Sequence, residues 1–187
     1  MKVLKGEWAF ISTQKCATNT MYKVLPGVRQ GQMHHMPNTR VAPIHWTIVR
    51  NPYDRAVSLY GSTALRSNGD RYNVRQECGG GVPEFETFIE RCLLVNKNKW
   101  KHPRGSTHAY LFRNQYDWIK SGIIDNVVHL ENLYVEIEEL IGLKISQKVK
   151  DNASPRKEWM SYMTPKAIKL LNKWAEPDFE HYGYQML

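Results

Sequence analysis

The sequence has no apolar run approaching the ~20 residues that a bilayer-crossing helix requires. Its opening residues, MKVLKGEWAF, lack the apolar core and small-residue cleavage site of a secretory leader. These absences predict a chain without a membrane span, in the cytoplasm. Cysteine is scarce: Cys16, Cys78 and Cys92 show no Cys-x-x-Cys spacing and leave one thiol over in any pairing, which favours a reducing compartment. No GxxxxGK[ST] occurs, so a triphosphate-wrapping loop of the Walker type is missing. No His, Cys and carboxylate cluster has metal-ligand spacing, and no metal is expected. Internal repeats and low-complexity tracts are also missing.

Acidic residues are the minority among the charges, 18 against 26 Lys and Arg, which leaves a net charge of +8. Such a balance directs the chain toward anionic partners: a nucleotide, a polyanionic sugar, nucleic acid or an acidic membrane surface. The densest basic stretch, NKNKWKHPRG at 96–105, reads as a solvated surface segment, although Trp100 within it also suits stacking on a sugar or base. At 187 residues and 42% hydrophobic composition the chain can bury a substantial core and reads as one globular domain, residues 1–187.

Residues 8–12, WAFIS, form the short apolar run of a buried central strand. Thr18 or Asn19 then caps a helix with Met21, Val24 and Leu25 on one face, ended by Pro26-Gly27. A second strand, IHWTIV at 44–49, leads through Arg50 and Asn51 into a helix with Pro52 at its first position. Tyr53, Ala56, Val57, Tyr60 and Ala64 give that helix an apolar stripe to about residue 66. Residues 67–82 are polar and glycine-rich and read as a mobile loop over a site. Phe85, Phe88, Ile89, Cys92 and Leu93 mark another helix. QYDWIK and DNVVHL suggest two strands joined around Ser121-Gly122. Leu133, Ile137, Leu140 and Ile141 line a helix stopped by Gly142, and Thr164-Pro165 opens a last helix with Ile168, Leu171 and Trp174 inward. Strands alternating with helices predict an α/β fold: a mainly parallel central sheet flanked by helices, with a P-loop-like strand-loop-helix nucleotide site at the carboxyl ends of the strands.

Two segments carry the chemistry. In FISTQKCATNTMY, residues 10–22, a strand passes through small hydroxylated residues straight into a helix, exposing amides at a positive dipole end that attract phosphate or sulfate. Lys15 adds a full charge to that cradle; the bland alternative is an ordinary turn with Lys15 in solvent. In TIVRNPYDRAVSLY, residues 47–60, Arg50 stands at a strand end and Ser58 lies two helical turns on, away from the apolar stripe. An arginine fork with a hydroxyl suits a second phosphate. The alternative is a salt-bridged arginine and a solvated serine.

With these residues in place the sequence resembles the sulfotransferases that use 3′-phosphoadenosine 5′-phosphosulfate (PAPS), and among them the carbohydrate-type enzymes. The resemblance implies that QKCATNTM holds the 5′-phosphosulfate through Lys15, Cys16, Ala17, Thr18, Asn19 and Thr20, and that RNPYDRAVSLY supplies Arg50 and Ser58 to the 3′-phosphate. Every fixed position of R-N-P-x-D-R-x-x-S-x-Y is matched. VVHLENL at 127–133 resembles the family's strand-to-helix segment with an acidic residue, here Glu131, and YMTPKAIKLLNKWAEPDFEHYGY its closing helix and aromatic tail. In KDNASPRKEW, residues 150–159, Asn152, Ser154 and Arg156 are the implied late contacts to the 3′-phosphate. Ala17 stands where glycine is common and Asn19 where a hydroxyl residue is common, which puts the backbone path around the sulfate in question.

The implied reaction moves a sulfuryl group in line to an acceptor hydroxyl, on a carbohydrate, with Lys15 neutralising the departing phosphate. The resemblance implies a histidine base in QMHHMPN, His35 ahead of His34, since neutral imidazole suits proton removal near pH 7; an exposed or packed histidine pair is the alternative. His45 and His129, inside predicted strands, read as core residues. Two rivals stand beside this: a nucleotide kinase-like phosphotransferase, disfavoured by QKCATNT's lack of wrapping glycines, and a non-catalytic basic module binding nucleotide or nucleic acid, which explains the charge but not the pairing of Arg50 with Ser58. No nucleic-acid partner is expected, and the sequence does not fix an oligomeric state.

Overall fold

Residues 1–4, 6–30, 39–66, 74–95, 109–120, 122–145 and 156–187 are described by the structure, a computed structural model. The chain divides into two compact units, Met1–Asn51 with Asp117–Ala153, and Pro52–Tyr116 with Ser154–Leu187.

The first unit holds the sheet. β1 (Lys2–Leu4) and β2 (Trp8–Ile11) pair antiparallel, and β3 (Val28–Arg29) pairs antiparallel with the other edge of β1. β4 (Ile44–Val49) lies parallel to β2, and β5 (Asn126–His129) parallel to β4, giving the order β3-β1-β2-β4-β5. The middle of the sheet is therefore parallel, as the alternation of strands and helices predicts. The antiparallel edge was not foreseen, because three-residue β1 and two-residue β3 are too short to show a period of two.

Alternation then sorts the side chains. Trp8 and Phe10 of β2, Trp46 and Ile48 of β4 and Val128 of β5 share a buried cluster with Met21 and Leu25 of α1 (Thr18–Val24) and its C-cap, and with Leu133 and Ile137 of α6 (Leu133–Ile141). Ala9 and Ile11 point to the opposite face, where they meet Val3 and Ala42. Strands buried on both faces explain the unbroken apolar run WAFI and the burial of His45 and Thr47 along with the apolar residues of IHWTIV. Gly142 ends α6 in the left-handed conformation, as its sequence position predicts.

The second unit packs helices on one core. α2 (Pro52–Thr63) is its centre: the expected stripe of Tyr53, Ala56, Val57, Tyr60 and Ala64 is buried, but so are Arg55, Ser58, Leu59 and Thr63. A helix buried nearly all round must satisfy its polar groups internally. Arg55 does so in part, donating from Nη1 to Arg113 O at 2.9 Å with its guanidinium 5.4 Å from the Trp174 ring, while its buried Nη2 has no hydrogen-bond acceptor among the described residues. Around it lie α3 (Val74–Glu77), α4 (Phe85–Phe88) continuing into a π-turn at Ile89–Leu93, and α7 (Pro165–Tyr182). Thr164 caps α7, its side chain accepting from Ala167 N at 3.1 Å. Leu171 and Trp174 face inward as expected, whereas Ile168 is only half-buried.

Four sequence expectations are corrected. Neither Thr18 nor Asn19 caps α1: Ala17 holds the cap position in the left-handed conformation, with no side-chain cap. QYDWIK is not a strand: α5 (Gln115–Ile119) replaces it, with Gln115, Trp118 and Ile119 buried at helical spacing. Its start is capped from a distance, Asp178 accepting from Gln115 N at 3.0 Å and Tyr116 N at 2.7 Å, a partner that local sequence does not reveal. Burial pushes the Asp178 carboxyl up from its ordinary pKa, opposed by the charge of Arg55 and by these N–H donors. The stretch 67–82 is not wholly loop, since Val74–Glu77 is helical with Val74 buried. The helix begun at Phe85 is not uniform either, its last turn widening to Leu94 N→Ile89 O at 3.0 Å.

The turn between α1 and β3 depends on Gly27. Its φ is +92°, and a Cβ there would stand 2.3 Å from Val3 O. Gly6, with φ +84°, has open space around its would-be Cβ. Gly27→Ala should therefore cost at least ~1–3 kcal/mol of unfolding free energy in urea titration, and more than Gly6→Ala. Equal losses for the two variants would contradict this packing of β3 on β1.

Candidate functional site

Because β2, β4 and β5 run parallel, their carboxyl ends gather at one edge of the first unit, the edge where α/β sheets bind ligands. β2 delivers residues 12–17, β4 delivers Arg50 and Asn51, and β5 delivers the segment leading to Glu131.

The turn after β2 is fixed from beneath. Thr47 on β4 donates its hydroxyl to Ile11 O at 2.7 Å, so the 2.7 Å contact between Thr13 Oγ1 and Thr47 Oγ1 has Thr13 as donor. Thr18 Oγ1 donates to Thr13 O at 2.9 Å, and Cys16 Sγ donates to Gln14 O at 3.4 Å. Ser12, Thr13, Gln14 and Cys16 are buried, while Lys15, Ala17 and Asn19 are partly exposed. The first amide bonded back along α1 is Met21 N, to Ala17 O at 2.9 Å, so the amides of residues 17–20 precede the helical ladder.

Two non-glycine residues in this turn take left-handed backbone angles, Lys15 at φ 65° and Ala17 at φ 52°. That conformation costs an L-residue roughly 1–2 kcal/mol. Ala17, which stands where the resemblance has glycine, thus takes a conformation that glycine adopts without strain. A backbone that alternates right- and left-handed residues can direct successive amides into one concavity suited to anions.

Arg50 reaches from the end of β4 into this turn, donating from Nη1 to Lys15 O at 3.0 Å. Asn51 N donates to Glu131 Oε1 at 2.7 Å, so the carboxylate orients the corner after β4.

In the second unit, Arg156 forms an ion pair with Asp54 in the first turn of α2 and also donates to Asp54 O at 3.4 Å. Ser58 lies one turn further along the same face of α2 and is 5% exposed rather than solvated. His34, His35, Trp100, Asn152 and Ser154 lie outside the described residues. Among the described residues no group of three His, Cys, Asp or Glu side chains is arranged to hold a metal ion, and no helix is long and apolar enough to cross a membrane.

A family model described as the sulfotransferase family matches residues 1–185. The chain belongs to the sulfotransferase family. Comparisons with curated proteins and with solved structures gave no match.

In this sulfotransferase the residues of RNPYDRAVSLY divide by task, the variable Tyr53 included. Tyr53 packs on Trp159 and Phe179, its hydroxyl hydrogen-bonded to Asn172 Oδ1 and accepting from Leu187 N at 2.8 Å. Arg55 is a core cation, and Tyr60 donates to Pro83 O at 2.6 Å, burial pushing its pKa up to about 12. Asp54 positions Arg156. Among the side chains at fixed positions, the structural ones thus outnumber the ligand candidates Arg50 and Ser58, and spacing alone could not separate them.

His45 is a core residue as expected: Val41 N donates to its Nε2 at 3.1 Å and its Nδ1 donates to Ile123 O at 2.9 Å. His129 corrects the core expectation. It ends β5 with a side chain 33% exposed, and Glu136 Oε2 accepts from both its backbone N at 2.6 Å and its Nδ1 at 3.1 Å. Burial raises the Glu136 carboxyl, but these bonds outweigh it and hold its pKa below the ordinary value. Sequence reasoning also missed Thr47, since a threonine inside IHWTIV gives no sign that it braces the neighbouring turn.

That bracing can be measured. Thr47→Val keeps the shape but leaves the Thr13 hydroxyl and Ile11 carbonyl without this partner, and should lower unfolding free energy by about 1–3 kcal/mol in urea titration. A valine variant as stable as the parent would show that the turn does not depend on Thr47.

Proposed function

We propose that this sulfotransferase carries a sulfuryl group from PAPS to an acceptor hydroxyl, with a carbohydrate as the acceptor class. The observation that carries the donor assignment is the turn at residues 12–18: a lysine, two left-handed residues and small hydroxylated side chains at the carboxyl end of a parallel strand, adjoined by Arg50. Both charge and backbone direction suit an oxyanion there.

In this reading the amides of residues 16–20 and the Thr20 side chain hold the 5′-phosphosulfate, Thr18 contributing its amide while its hydroxyl is given to Thr13 O, and Arg50 and Ser58 hold the 3′-phosphate with Arg156 and Asn152. The pairing of Arg156 with Asp54, one turn from Ser58, supports the late segment's part in this. Lys15 neutralises the negative charge that grows on the bridging oxygen as the S–O bond breaks, which is where an electrostatic contribution is felt most. His35, with His34 as the alternate, takes the acceptor's proton. Transfer rests on positioning and charge neutralisation, without a metal. Residues 1–187 act as one sulfotransferase-like domain, a reading supported by a family match that runs across both units. The carbohydrate class rests on the resemblance around His34 and His35 and on the basic stretch with Trp100.

Single-turnover transfer from labelled PAPS tests the roles of Lys15 and His35 together. Lys15→Ala should slow the chemical step about 10²–10³-fold, and His35→Ala about 10²–10⁴-fold with donor affinity little changed. Unchanged rates in either variant would remove that residue from the mechanism.

A further inference from the structure

Cys78 and Cys92 lie 14 positions apart in sequence, yet their sulfurs are 3.7 Å apart in the second unit. Both are free thiols. Cys92 is fully buried among the side chains of the helical core, and Cys78 packs against that core from a partly exposed position.

The approach of the two sulfurs is imposed by the backbone on both sides. Cys78 N is bonded to Val74 O and Arg75 O at 3.1 and 3.2 Å, and Gly80 N to Arg75 O at 2.7 Å, which fixes the end of α3. Gly79, Gly80 and Gly81 follow with φ of 97°, 90° and 70°, a run that side-chain-bearing residues rarely adopt. Tyr60 then holds Pro83 O at 2.6 Å, and the chain enters α4 and the π-turn that carries Cys92. Two rigid supports joined by a glycine turn therefore bring one accessible and one sheltered thiol together, the division of labour of an attacking and a resolving cysteine.

We propose that Cys78 and Cys92 form a reversible redox site in which thiol–disulfide exchange with an oxidised low-molecular-weight disulfide closes a Cys78–Cys92 bond. The Cys78 thiolate attacks one sulfur of that disulfide, forming a mixed disulfide and releasing one small thiolate. Cys92 gives its proton to solvent and attacks the Cys78 sulfur, forming the internal bond and releasing the second small thiolate. The protein loses two protons and two electrons, and the small disulfide becomes two thiols. The hydrogen bond from Cys92 lowers the Cys78 pKa, with Arg91 adding to it, and the same bond holds the Cys92 thiol protonated until it reacts. Cys16 takes no part: it is buried in the first unit and donates to Gln14 O.

The test is intact-mass and peptide analysis of the whole chain equilibrated across ratios of oxidised to reduced glutathione, followed by alkylation. The expected result is a loss of two hydrogens, a peptide linking residues 78 and 92, one alkylated thiol at Cys16, and full reversal by dithiothreitol. Cys78→Ser should abolish the change, and Cys92→Ser should stop it at a glutathione adduct on Cys78. A stable adduct on Cys78 in the parent protein, oxidation at Cys16 with the pair still reduced, or a disulfide between two chains would each overturn the proposal.

Discussion

The guanidinium of Arg50 donating to the carbonyl of Lys15 is the contact on which the site depends. It ties the end of β4 to the turn after β2, so the lysine is not placed by its own strand alone. A lysine with φ 65° is held against its intrinsic preference, and a charged donor on its carbonyl helps to keep it there. The residue proposed to bind one phosphate thereby also sets the backbone of the residue proposed to act at the other.

Around that contact, the parallel centre of the sheet does the positioning. Thr47 braces the turn from β4, and Glu131, reached from β5, holds the amide of Asn51. Three neighbouring strand ends are thus cross-linked by hydrogen bonds, and fixed groups of this kind are what a transfer reaction through a loose transition state requires. In the second unit the same motif continues as a helix whose burial leaves Arg55, Tyr53 and Tyr60 as structural members, with Ser58 and the Asp54–Arg156 pair on one face.

Much of this was legible in the sequence. The strands at 8–11 and 44–49, the helices after residues 18, 52, 133 and 165, and their caps at Thr164 and Gly142 follow from local periodicity and capping chemistry. What was misread has a common cause. QYDWIK looked like a strand because its helix is capped by Asp178, far away in sequence, and β1 and β3 are held by neighbours rather than by their own pattern. At the site, residue type pointed to Lys15 and Arg50, but nothing in the sequence tells that the two are bonded, that Arg156 is paired with Asp54, or that His129 ends its strand half-exposed against Glu136.

In the proposed function, one adenosine nucleotide bridges the Lys15 turn and the Arg50 corner through its two phosphorylated positions. Calorimetric titration with adenosine 3′,5′-bisphosphate and with AMP measures it directly, because the two ligands differ only by the 3′-phosphate. Affinity for the bisphosphate should exceed that for AMP by at least tenfold, which corresponds to about 1.4 kcal/mol for the second phosphate. Comparable affinity for the two would contradict the assignment of Arg50 and Ser58, and with it the account of the site.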